Sequence, residues 1–205
     1  MQIEANGIRI EVEDSGGDGP VVMLLMGLGG QLIHWPAAFV QALVDAGWRV
    51  LRVARAHVVG LSMGAMIAQR LALLAPARLW SLTCISGCSG ARGLMKPQAS
   101  VLRVAAGKPR AGDDAALAAY YLNFLRAIAS PRYPPSDAEL RDVLARTARR
   151  HAPHSDATTR QLAAILADGG RAGQPGRTRG PTLAGDGADD PWVPAARAHD
   201  TARRI

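Results

Sequence analysis

Aromatic side chains are scarce in this chain: four Trp, three Tyr and two Phe among 205 residues. Base-stacking platforms are built from such rings, so a single strand of nucleic acid finds little to stack on. Lysine is scarcer still, with Lys96 and Lys108 alone, and arginines carry the formal net charge of +7. They are dispersed, with modest clusters at Arg146-Arg149-Arg150 and Arg171-Arg177-Arg179 and no continuous basic stripe. No nucleic-acid partner is expected. There are two cysteines, Cys84 and Cys88, in an apolar strand-like segment. Their spacing is not C-x-x-C and no second Cys/His pair stands at zinc spacing, so they read as buried, inert thiols. His151 and His154 form an H-x-x-H in a polar stretch without a carboxylate or cysteine pattern beside it. No metal and no cofactor is expected. No apolar run approaches the roughly 20 residues of a membrane span. Val21 to Leu28 is too short and follows a polar stretch. The opening residues, Met1 to Asn6, lack a basic n-region and an apolar h-region. The expectation is a cytoplasmic protein with no membrane partner.

What is present is 48% hydrophobic residues, enough for one globular domain with room for an insertion. Its most informative stretch is Gly60-Leu61-Ser62-Met63-Gly64. A strand-like run, Ala56-His57-Val58-Val59, leads in, and a helix-like run from Met63 to Leu74 leads out. G-x-S-x-G between a strand and a helix is the nucleophile-elbow pattern. A tight turn of this kind lifts the serine oxygen out of the sheet. The glycines are required where strand and helix pass too close for side chains. The turn also aims the backbone N–H of Met63 at the place where an oxyanion would form. The bland alternative is a Gly/Ser turn ahead of an amphipathic helix.

Ile3 to Glu13 reads as a hairpin turning at Asn6-Gly7. Val21 to Leu25 is a continuous apolar run of the kind expected of a buried parallel strand, broken by Gly27-Leu28-Gly29-Gly30. Pro36 to Ala46 carries an apolar helical face that Gly47 stops. Arg49 to Val53 and Leu79 to Ser86 are strand candidates. Residues 91–170 change texture, becoming rich in Ala and Arg with helical periodicity over Asp113–Ala129, Ser136–Arg150 and Ala157–Ala167. Ser136 and Glu139 have the spacing of a capping box. Three helices without a strand, set between strand-bearing regions, predict a helical cap at 91–170 inserted into a core of 1–90 and 171–205. Pro181 to Ala184 is a short strand, interrupted by Gly185-Asp186 before the turn Gly187-Ala188-Asp189-Asp190-Pro191-Trp192-Val193-Pro194.

This order of elements resembles an α/β-hydrolase across nearly the whole chain. Met26-Gly27-Leu28-Gly29 with Trp35-Pro36 is similar to the family's loop after its third strand. Gly60 to Gly64 with Ile67-Ala68-Gln69 is similar to its elbow, and Gly187 to Pro194 to the turn that supplies the triad acid. Among subfamilies the chain looks closest to bacterial esterases similar to aclacinomycin methylesterase. The resemblance implies an α/β, three-layer sandwich with a mostly parallel sheet and an inserted helical cap. It implies Ser62 as nucleophile, Asp190 as acid, and the backbone N–H groups of Leu28 and Met63 as the oxyanion hole. The implied reaction is hydrolysis of a small-molecule carboxylic ester by a Ser-His-Asp type mechanism.

Two departures shape the remaining expectations. The family's histidine follows one more strand after the acid turn, and none of the five histidines here matches it. His34, in the oxyanion loop, is the nearest to a substitute. Full activity is therefore doubtful, and a non-catalytic remnant or fragment of the fold, binding a small molecule, is the competing reading. The second departure is the link Ala54-Arg55 between the strand candidates 49–53 and 56–60. A parallel crossover needs about a dozen residues. The expectation is one extended strand from Arg49 to Gly60, with the family's fourth-strand position lost.

Overall fold

The computed structural model describes residues 1–5, 8–27, 32–50, 56–91, 97–109, 113–150, 155–168, 171, 173 and 180–204. β1 (Gln2–Ala5) and β2 (Ile8–Glu11) pair antiparallel as the expected hairpin, whose Asn6-Gly7 turn lies outside the described residues. The main sheet holds β3 (Val21–Leu25), β4 (Arg49–Val50), β5 (Ala56–Leu61), β6 (Leu79–Ile85) and β7 (Thr182–Gly185). Its order is β4-β3-β5-β6-β7 and every pairing is parallel. The apolar run at 21–25 thus lies directly beside the elbow strand, as expected.

Helices cover this sheet on both sides. α2 (Met63–Leu74) presents Ala65, Ala68 and Ala72, all at most 1% exposed, to Val58, Leu82 and Cys84. Alanines at these spacings line one helix face and let the helix axis sit close to the strands. Burial pushes the Cys84 thiol up to about 11, so it stays protonated and inert. Side chains alternate across a strand, so Val22 and Val50, paired and buried, face the other side, where α1 (Ala37–Asp45) adjoins β4. α7 (Ala196–Arg204) packs on β7.

The single extended strand expected from Arg49 to Gly60 is not formed. β4 and β5 are two separate parallel strands, flanking β3 on opposite sides. The physical reason lies in the register. β4 is only two residues long, and its last residue, Val50, is level with Val22. His57, the second residue of β5, is level with Val22 from the other side. The link therefore does not return along a full strand; it spans about two strand spacings, near 10 Å, within reach of seven residues. Residues 51–55 themselves lie outside the described set.

Among the described residues, four helices separate β6 from β7: α3 (Ala99–Ala106), α4 (Asp114–Ile128), α5 (Asp137–Arg150) and α6 (Ser155–Ala167). The last three match the periodic segments; α3 was not anticipated. The capping box forms, with Ser136 N–H donating to Glu139 Oε2 at 2.7 Å and Glu139 N–H to Ser136 Oγ at 3.2 Å. These helices reach loops beyond the carboxyl ends of the strands. Phe124 meets Trp192 edge to face at 5.5 Å, Ser130 Oγ lies 3.4 Å from Asp189 Oδ2, and His34 bonds Thr147. Asp168, just past α6, accepts Arg70 of α2 at 2.7 Å and 2.5 Å and also pairs with buried Arg171.

Candidate active site

The backbone at Ser62 adopts φ 55° and ψ −115°, a sparsely populated conformation in the positive-φ region that favours glycine, which costs another residue about 1–3 kcal/mol. The neighbours that impose it are close. A Cβ on Gly60 would stand 2.3 Å from the Gly64 carbonyl oxygen, and a Cβ on Gly64 would stand 2.3 Å from Leu25 O. Both glycines of the motif are thus fixed by strand, helix and β3 converging on one point. Gly27, at the end of β3, completes the crowding: its Cβ would lie 3.0 Å from Ser62 Cβ. Ser62 N–H donates to Ile85 O at 2.8 Å, which ties the turn to the tip of β6.

Ser62 stands immediately before α2, whose first-turn amides have no partner within the helix. The Met63 N–H is one of them, at the positive end of the helix dipole, where negative charge is favoured. Leu28, expected to supply the second oxyanion donor, lies outside the described residues. Its neighbour Gly27 packs against Ser62, so the chain enters that loop beside the serine.

Asp190 follows β7 on the same carboxyl edge, with the tip of β6 between it and Ser62. Its Oδ1 accepts the N–H groups of Trp192 at 2.8 Å and Val193 at 2.9 Å, and its Oδ2 faces Ser86 Oγ at 3.4 Å. Ser62, Met63 and Asp190 are therefore brought to one edge. Two further residues there carried no signal in the sequence. Ser86 sits at the tip of β6 with φ 47°, and Ser62 is the only other non-glycine residue with positive φ among the described residues. Asp186 Oδ2 accepts the Ala198 N–H at 3.0 Å while its Oδ1 is buried without a partner. Burial, reinforced by the nearby Asp190 charge, pushes its carboxyl up to about 6.

No described histidine bonds Ser62. His34 Nε2 lies 2.8 Å from Thr147 Oγ1, which itself donates to Val143 O. A ring nitrogen donates to or accepts from that hydroxyl according to the tautomer of the His34 imidazole. Burial, followed by the Arg146 charge, lowers its pKa and keeps the ring neutral. His57 Nδ1 bonds Ser81 Oγ at 2.7 Å between Trp48 and Trp80, five residues down β5 from Ser62. His199 is exposed on α7, and His151 and His154 lie outside the described residues.

No protein-family model matches the chain, and no curated protein matches it either. Solved structures do match. A hydrolase from Pseudomonas aeruginosa PA01 is 24% identical over 94% of this chain and 81% of its own, with a TM-score of 0.66. An enol-lactonase from Burkholderia xenovorans LB400 is 22% identical over 100% of this chain and 88% of its own, at 0.69. A mutant of the meta-cleavage product hydrolase CumD from Pseudomonas fluorescens IP01 is 17% identical over 100% and 85%, at 0.76. The fold is the α/β-hydrolase fold. Within this α/β-hydrolase fold the identities are low, so the chemistry rests on the site itself. Among the described residues no cluster of His, Cys, Asp and Glu is arranged to hold a metal ion, and no helix is long and apolar enough to cross a membrane.

Proposed function

We propose that the chain is a serine hydrolase acting on a small-molecule carboxylic ester, with Ser62 as nucleophile and Asp190 as the acid of its site. The observation that carries this is the backbone at Ser62: a strained positive-φ serine between β5 and α2, flanked by two glycines that admit no Cβ. Strain of this kind persists where function requires it. The hydrolase and the enol-lactonase among the similar structures support the reading.

Ser62 Oγ would add to the ester carbonyl carbon while its proton passes to a base. The carbonyl oxygen would take the negative charge, held by the Met63 N–H and, we infer, by the Leu28 N–H. Collapse would expel the alcohol, which takes up a proton, and water would then release the acid from Ser62. Asp190 is set to hold an imidazolium, but no described histidine reaches Ser62. Without that base, oxyanion stabilisation and binding sustain only roughly 10³–10⁴-fold acceleration over water in related triads. The helices of residues 91–170 would cover the carboxyl edge, where open α/β sheets bind their ligands.

A p-nitrophenyl ester assay on the wild type, Ser62→Ala and Asp190→Ala tests the reading. Expected is weak turnover that Ser62→Ala abolishes and Asp190→Ala barely changes. Ordinary enzyme rates destroyed by Asp190→Ala would show that a base is in place, with His34 the leading candidate. The second reading, a non-catalytic small-molecule binder, is favoured by the bonds of His34 and His57, which go to Thr147 and Ser81 and not to Ser62. It is selected if Ser62→Ala leaves the hydrolysis rate unchanged.

A further inference from the structure

We infer that Ser86 is a positioning residue for Asp190, holding the carboxylate of the acid turn against the strand tip that carries the nucleophile; this rests on the serine-hydrolase reading above. Three contacts converge on residues 85 and 86. The Ile85 carbonyl accepts the Ser62 N–H at 2.8 Å, the Ser86 N–H donates to Gly185 O at 2.9 Å, and Ser86 Oγ lies 3.4 Å from Asp190 Oδ2. One dipeptide therefore joins the serine turn after β5 to the acid turn after β7.

The conformation argues the same way. Ser86 holds φ 47°, which glycine would adopt without strain. The position nonetheless carries a hydroxyl, and that hydroxyl faces the one carboxylate oxygen the turn amides leave open. Asp190 Oδ1 is already engaged by two backbone N–H groups, so without Ser86 the other oxygen has no described partner. The 3.4 Å separation is longer than the about 2.5–3.0 Å of a formed O–H···O bond. Such bonds commonly tighten when substrate binds and charge develops.

Three variants separate positioning from packing. Ser86→Ala removes the hydroxyl and keeps the strain. Ser86→Gly removes both. Ser86→Asn tolerates positive φ and restores a donor. Turnover of p-nitrophenyl acetate is expected to change as little in the three Ser86 variants as in Asp190→Ala, because Ser86 acts only through that carboxylate. The deciding readout needs no turnover. Amide hydrogen exchange at Trp192 and Val193, the two N–H groups on Asp190, should quicken several-fold in the Ala and Gly variants and stay near wild type in Ser86→Asn. Labelling of Ser62 by a fluorophosphonate reports the nucleophile separately. If the wild type neither labels nor hydrolyses the ester, the proposed function fails, and the exchange rates alone decide the Ser86 role. The inference is overturned if exchange at both amides is the same in all four proteins. It is also overturned if these amides exchange as fast in Ser86→Asn as in Ser86→Ala, or if the Ser86 variants lose far more turnover than Asp190→Ala does.

Discussion

The two halves of the candidate site are built on opposite principles. At the elbow, Gly60, Ser62 and Gly64 are held by contact: backbone from β3, β5 and α2 meets within distances that leave no room for a Cβ. At the acid turn after β7, the groups are held by polar bonds, two amides on Asp190 and one on Asp186, with the Ser86 hydroxyl standing 3.4 Å from Asp190 Oδ2. The elbow is therefore rigid because it is full. The acid turn is placed only as well as its hydrogen bonds are satisfied, and one carboxylate oxygen there is buried without a partner.

The sharpest way to break this contrast is to fill the elbow. Gly64→Ala places a methyl 2.3 Å from Leu25 O and 2.9 Å from Met26 O, both backbone atoms that cannot swing aside. Overpacking of this kind is expected to cost about 3 kcal/mol, read as a fall in the urea midpoint. A neutral effect would mean that the crowding is not what shapes the turn. A smaller effect of opposite sign is expected at the serine. Ser62→Gly relieves the positive-φ conformation and should raise stability by about 1 kcal/mol while removing ester turnover. Unchanged or lowered stability would remove the argument from strain.

A third effect, as small as that at the serine, belongs to the acid turn and depends on pH. Asp186 titrates at about 6 in the folded chain against an ordinary 3.8. Between those values the folded state holds a proton that the unfolded state has released. By linkage, stability falls as pH rises through that window, and the full penalty is present above pH 6. Asp186→Asn can keep an acceptor for the Ala198 N–H without the charge. It should raise stability at pH 7.5 by about 1 kcal/mol, a figure reduced for the partial exposure of the group, and flatten the slope between pH 4 and 6. Parallel melting curves of the two proteins that keep the same pH dependence would contradict the assignment.

These differences in construction also decide what the sequence reveals. Steric demands leave a mark in residue type: glycine at 60 and 64 is required by contact, so the elbow was readable from five letters. Helices α4 to α6 announced themselves by periodicity and, in α5, by Ser136 and Glu139. α3 did not, being eight residues long with Gln98 at its start and no side-chain cap. The β4 and β5 arrangement is not legible in the sequence because the crossover rule holds for two full strands, whereas β4 keeps two residues and ends level with the start of β5. Asp186 looked like an interruption of an apolar strand, since burial of its carboxyl depends on α7 docking over it. Ser86 is ordinary in sequence. Its positive φ and its reach to Asp190 come from residues 104 positions apart meeting at one edge.

The bond from the Ser62 amide to Ile85 O has a consequence for how the chain folds. β5 and β6 are parallel, so their tips meet only after the intervening helix has crossed over and β6 has entered the sheet. Such non-local pairings form late compared with helix propagation. A peptide spanning residues 56–74 can therefore wind its helix but has nothing against which to set the turn at Ser62. In refolding followed by pulsed hydrogen exchange, the amides of α2 should gain protection before that of Ser62. The reactive geometry is then a late product of assembly, acquired by the sheet as a whole rather than by the five residues that spell it.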